Sequence, residues 1–94
     1  MRVIAPAKIN LTLRVLGKRP DGYHALESVM QMLTLTDVLS YDSAAGLHFT
    51  CSDPALETED NLVVRAARLL QTRCPRPCGA RLHLEKHIPA QAGL

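Results

Sequence analysis

Ala5-Pro6-Ala7-Lys8-Ile9-Asn10-Leu11-Thr12-Leu13-Arg14-Val15-Leu16 runs directly into Gly17-Lys18-Arg19-Pro20-Asp21-Gly22-Tyr23-His24. The fold is read outward from this stretch. In its first half Ile9, Leu11, Leu13 and Val15 share one parity, and Lys8, Asn10, Thr12 and Arg14 take the other. A period of two over eight residues predicts a strand with one buried face and one wet face. Pro20-Asp21-Gly22 then supplies a bend, because proline fixes φ and glycine is free to take a positive φ.

The wet face opens with a cation and an amide, Lys8 and Asn10, and the turn delivers a phenol and an imidazole, Tyr23 and His24. Such a set suits a small polar ligand with a flat ring. A tyrosine face stacks on a heterocycle, and a neighbouring histidine bonds its edge. Lys8 brings a compact positive charge, and Asn10 brings both a donor and an acceptor. Each residue also has an ordinary role. An exposed lysine is usually just solvated, and a tyrosine at a strand start can be a half-buried cap. Asparagine is less ordinary there, being depleted from strand interiors.

Downstream, Ala25 to about Leu33 reads as a strand, although Met30-Gln31-Met32 would also fit a helix. Asp37 to Tyr41 reads as a second short strand, and Asp42 to Gly46 as a turn. Leu47, Phe49 and Cys51 alternate with His48, Thr50 and Ser52, which predicts a third strand. The three would form an antiparallel meander. Leu62, Val63, Ala66, Ala67, Leu69 and Leu70 then repeat at helical spacing, with Arg65, Arg68 and Gln71 on the solvated side. Thr58 or Asp60 is the expected N-cap, and Pro75 the expected stop. In the last strand Lys86 shares the apolar parity of Leu82, Leu84 and Ile88, so it either snorkels to water or meets an anion.

Ninety-four residues with 47% hydrophobic and 3% aromatic content make one small aliphatic domain or part of a larger one. A chain of this size buries only about 60–65% of its unfolded surface, so it is marginal alone. A net charge of +2 admits anionic ligands but does not argue for nucleic acid. No apolar run approaches a membrane span, and Met1 to Pro6 lacks the apolar core of a signal peptide. A cytoplasmic location is expected. Cys51, Cys74 and Cys78 are odd in number, and no second Cys pair completes a four-ligand knuckle around Cys74 and Cys78, so reduced thiols and no metal site are expected.

Four ordered blocks carry a family resemblance: Pro6 to Leu11, Gly17 to His24, Glu59 to Leu70, and His83 to Leu94. Together they closely resemble the amino-terminal signature of the 4-diphosphocytidyl-2-C-methyl-D-erythritol kinases, a family of the GHMP superfamily of small-molecule kinases. The resemblance covers essentially the whole chain and is weakest at 40–55 and 72–79. It implies an α+β fold, a strand meander with one main helix, forming an incomplete GHMP amino-terminal domain over residues 1–94. Pro89-Ala90-Gln91-Ala92-Gly93-Leu94 is similar to the opening of the family's phosphate loop, whose glycine- and serine-rich continuation lies beyond Leu94. Backbone N–H groups of such a loop, backed by a helix dipole, hold ATP phosphates.

The resemblance further implies transfer of the γ-phosphoryl of ATP, with its Mg2+, to the 2-hydroxyl of 4-diphosphocytidyl-2-C-methyl-D-erythritol, in the non-mevalonate route to isoprenoids. Lys8 matches the catalytic lysine, which offsets charge at the attacking oxygen and keeps a downstream aspartate ionised. Asn10, Tyr23 and His24 match substrate-binding residues, with Tyr23 stacking on cytosine and His24 reading its edge. Asn61 matches a residue close to adenine, and Lys86 and residues 89–94 fall to the nucleotide. Lys8 and Tyr23 should then line one cleft. The 94 residues alone should be inactive. A rival from another class is a small basic RNA-binding module, since GHMP kinases share their fold with some ribosomal RNA-binding domains. Dispersed basic residues and three aromatics weigh against it.

Overall fold

The computed structural model describes residues 1–74 and 78–94. Two long strands, β1 (Arg2–Lys18) and β2 (His24–Ser43), form an antiparallel hairpin whose register runs from Arg2 opposite Ser40 to Lys18 opposite His24. Its turn is built as the sequence predicts. Gly22 takes a φ of 91°, the Tyr23 N–H donates to Asp21 Oδ1 at 3.1 Å, and the Gly22 N–H donates to the Arg19 carbonyl at 3.0 Å. β3 (Leu47–Cys51), a single 3-10 turn (Pro54–Leu56), α1 (Leu62–Arg73) and β4 (Ala80–Glu85) follow. The expected stop at Pro75 lies outside the described residues.

The α+β class, the antiparallel-rich sheet and the single main helix are as expected. The strand order is not a simple meander. It is β1-β2-β4-β3, so β4 enters between β2 and β3, antiparallel to the first and parallel to the second. Parallel neighbours need a crossover of a dozen or more residues, and α1 supplies it between β3 and β4. The two expected strands between Ala25 and Tyr41 are one continuous strand of 20 residues.

Pairing also corrects the expectation of a buried face on β1. Register shifts between Asn10 and Thr12, and between Val15 and Gly17, leave Leu11 and Leu16 as extra residues on β1. Each extra residue resets the alternation, so the apolar parity does not make one continuous face. Among the described residues nothing covers it: Leu11 and Leu13 are each 57% exposed.

The core sits at the other end of the sheet, where Ala7, Val38, Cys51, Val64, Leu82, Leu84 and Ile88 are buried. Leu39 and Leu82 line a common cavity with Val63, Ala66 and Ala67 of α1, which places the helix over this face. The N-cap is Asn61, one residue later than expected, with Oδ1 accepting from the Val63 N–H at 2.9 Å. Arg68 reaches Glu59 at 3.2 Å on the solvent side. Gly79 is where β4 meets the turn before β3. A Cβ there would run into the carbonyl oxygens of Gly46 and Ala44.

Candidate functional site

Lys8 lies in β1 beside an irregularity in the ladder, where Ala7 is buried. Its Nζ donates to the Gly93 carbonyl at 3.3 Å, 85 positions further along the chain. The segment it touches is the one expected to open a phosphate loop. That segment turns at Ala90-Gln91, with φ of 59° at Gln91 and 78° at Gly93. A left-handed glutamine is uncommon and marks a backbone held by its surroundings.

The exit of β4 just before this turn is held by Asp37, which strand periodicity alone marks only as a strand start. Asp37 is 8% exposed and is the buried charged residue among those described. Its Oδ1 accepts from the His87 N–H at 2.7 Å and the Ile88 N–H at 2.9 Å. Its Oδ2 accepts from Lys86 Nζ at 2.6 Å. Burial pushes the carboxyl pKa up, but the Ile88 amide, the Lys86 ammonium and the His87 amide outweigh it, and the net shift is downward. Asp37 is therefore a fully bonded carboxylate that pins the exit of β4. His87 Nδ1 lies 2.9 Å from the Thr36 carbonyl and adds to the same junction. A signal was present in the sequence: an aspartate between Leu33 and Leu35 on one side and Val38 and Leu39 on the other is out of place unless it is paired.

Lys86 thus follows the expectation for an apolar-parity lysine that meets an anion, and the anion is Asp37. Lys86 and Asp37 line a cavity of about 430 Å3 with Ala5, Asn61, Leu62 and Ala90, among others. That volume falls within the usual range for small-ligand sites. Three of the expected nucleotide residues, Asn61, Lys86 and Ala90, therefore share one depression. The Asn61 side chain already works for the fold, since its Nδ2 donates to the Leu56 carbonyl at 3.0 Å while Oδ1 caps α1. One Nδ2 hydrogen and one Oδ1 lone pair remain for a ligand.

The expected substrate residues sit elsewhere. Tyr23 is 75% exposed at the hairpin tip, and His24 follows it opposite Lys18. Asn10 Oδ1 accepts from Ser28 Oγ at 2.9 Å across the hairpin. From Lys8 to Lys18 an extended strand covers about 33 Å. Among the described residues, neither Lys8 nor Tyr23 lines the cavity that Asn61, Lys86 and Ala90 share. The expectation that these two share one cleft is not met within this chain.

Among the described residues no group of three or more His, Cys, Asp or Glu is placed to hold a metal ion. Hydrogen bonding with Cys74 pushes the Cys78 thiol up, in keeping with a protonated thiol there. No helix among the described residues is long and apolar enough to cross a membrane.

No protein-family model matches the chain. It is 52% identical over 91 residues to the 4-diphosphocytidyl-2-C-methyl-D-erythritol kinase of Salinibacter ruber, covering 96% of this chain and 32% of the relative. It is 46% identical over 95 residues to the kinase of the same name from Protochlamydia amoebophila, covering 100% of this chain and 33% of the relative. The chain also superposes over its full length on 34% of a crystal structure of 4-(cytidine 5'-diphospho)-2C-methyl-D-erythritol kinase, with a TM-score of 0.81 and 41% identity. Nothing in these comparisons supports the RNA-binding reading. The chain spans about a third of the length of the curated relatives it matches. In sequence and in fold, it is similar over its whole length to the amino-terminal third of the 4-diphosphocytidyl-2-C-methyl-D-erythritol kinases.

Proposed function

We propose that these residues are the amino-terminal part of an ATP-dependent kinase that phosphorylates the 2-hydroxyl of 4-diphosphocytidyl-2-C-methyl-D-erythritol. The observation that carries this is the contact between Lys8 and the Gly93 carbonyl. It sets the Lys8 ammonium beside residues 89–94, which supports reading Lys8 as the catalytic cation and that segment as the start of the phosphate loop. Phosphoryl transfer needs a hydroxyl in line with the phosphorus and charge on the phosphoryl oxygens offset. A lysine at the loop supplies the second requirement, and as a compact, strongly hydrated cation it does so as a point charge.

The cavity beside Lys86 fits the base and sugar end of a nucleotide. Ala5, Leu39, Leu56, Leu62, Val63 and Leu84 offer apolar walls, and Asn61 offers the polar edge. Residues 89–94 would then take the phosphates, and Mg2+ would enter with them. Tyr23, His24 and Asn10 would meet the cytidine end of the alcohol substrate. A hairpin tip that exposes an aromatic ring and an imidazole suits that role, with a second wall supplied by a region such as the two thirds of the relatives that this chain does not span. The cytoplasm, where ATP is made and used, is the matching location.

The test is ADP release by a full-length enzyme carrying this segment, with and without the alcohol. Release that depends on 4-diphosphocytidyl-2-C-methyl-D-erythritol supports the proposal. Release that ignores the alcohol, or no release from a folded enzyme, overturns it.

A further inference from the structure

We infer that Asp37 is a positioning residue of the nucleotide site, whose two carboxylate oxygens divide the work between the Lys86 ammonium and the backbone that launches the 89–94 loop. The inference rests on the kinase reading and deepens it. Oδ2 takes Lys86 Nζ alone, at 2.6 Å, and so fixes the cation at the wall of the cavity that Asn61 and Ala90 also line. Oδ1 takes the His87 and Ile88 N–H groups together, which anchors the backbone as it leaves β4. Five residues further on, the same segment meets Lys8 at Gly93. A single buried carboxylate thereby ties the wall of the nucleotide cavity to the lysine at its phosphate end. Asp60, on the same cavity, has no such bonds to Lys86 or the loop and does not duplicate the role.

The division of labour gives a clean substitution. Asp37→Asn keeps an oxygen for the two backbone N–H groups and removes the negative charge that holds Lys86. The setting is a full-length enzyme made by joining this segment to the remaining two thirds of the Salinibacter ruber relative. In it, Asp37→Asn should raise the KM for ATP about tenfold, with kcat changed less than twofold and the KM for the alcohol unchanged. Adding Lys86→Met should raise it no further, since the ammonium is already adrift. Lys86→Met alone should reproduce the ATP effect, which keeps the inference open to test if the Asn variant folds poorly. An unchanged KM for ATP in both folded variants overturns it. So does a loss spread equally over both substrates in proportion to the folded fraction, which is what a purely structural carboxylate would give. An unsubstituted enzyme that does not consume ATP overturns the kinase reading itself. That result is visible before any variant is compared.

Discussion

Lys8 on the first strand and Gly93 at the end of the chain are joined by a 3.3 Å hydrogen bond from Nζ to the carbonyl oxygen. The bond is exposed and weak on its own. Its value is in where it puts a positive charge. In the full-length enzyme, Lys8→Ala should lower kcat by about 100- to 1,000-fold, the usual cost of removing one group that stabilises transition-state charge. The KM values should move little. Steady-state kinetics on both substrates check this.

Tyr23 should behave in the opposite way. Its ring is exposed and contributes little to the fold, so Tyr23→Ala should change stability by no more than about 0.5 kcal/mol. Loss of a stacked base costs about 1–3 kcal/mol, so the KM for the cytidine substrate should rise about tenfold or more. Tyr23→Phe keeps the ring and should be nearly silent. Thermal denaturation and substrate titration separate the two effects.

Asp37→Ala removes the acceptor of three hydrogen bonds and leaves a mostly buried ammonium at Lys86. The expected loss is about 3–5 kcal/mol, from chemical denaturation. The pH dependence follows from the lowered pKa of this carboxyl. Its contribution is complete above the ordinary carboxylate value and fades as pH falls through the lower folded value. The acid limb of the stability curve should therefore flatten in Asp37→Ala.

Gly79→Ala should be disproportionately costly for a single methyl group. The new Cβ meets the backbone carbonyls of Gly46 and Ala44, which cannot step aside as a side chain can. The Ala80 N–H bond to the Gly46 carbonyl, at 2.9 Å, would be lost with the displacement. A loss of roughly 2 kcal/mol or more is expected, against within ±0.5 for a neutral surface change. A melting curve of the full-length variant checks it.

The hairpin was legible because its information is local. Alternation along β1 and the Pro20-Asp21-Gly22 bend act over a few residues; the strand and the bend appear where expected, while the buried face that the alternation predicted does not. The helix was legible for the same reason, although its cap fell to Asn61 rather than to Thr58 or Asp60. The insertion of β4 between β2 and β3 was not legible, because pairing such as Leu39 with Leu84 is decided between residues far apart in the chain. The continuity of β2 through Thr36 and Asp37 was hidden for a related reason. A charged residue looks like a strand end until Lys86, His87 and Ile88 come from elsewhere to satisfy it. Among the site residues, the bond from Lys8 to the Gly93 carbonyl joins positions 85 apart and has no local signal in the sequence. The separation of Tyr23 from Lys8 follows from the length of the hairpin, which the closeness of the two motifs in the sequence does not reveal.

The most direct measurement follows the phosphoryl group itself. A full-length enzyme carrying this segment is given ATP labelled at the γ-phosphate, together with 4-diphosphocytidyl-2-C-methyl-D-erythritol, and the product is isolated. Label in a phosphate ester on the 2-hydroxyl, largely abolished by Lys8→Ala, is the predicted result. Label found only in inorganic phosphate, or transfer indifferent to Lys8, would contradict it.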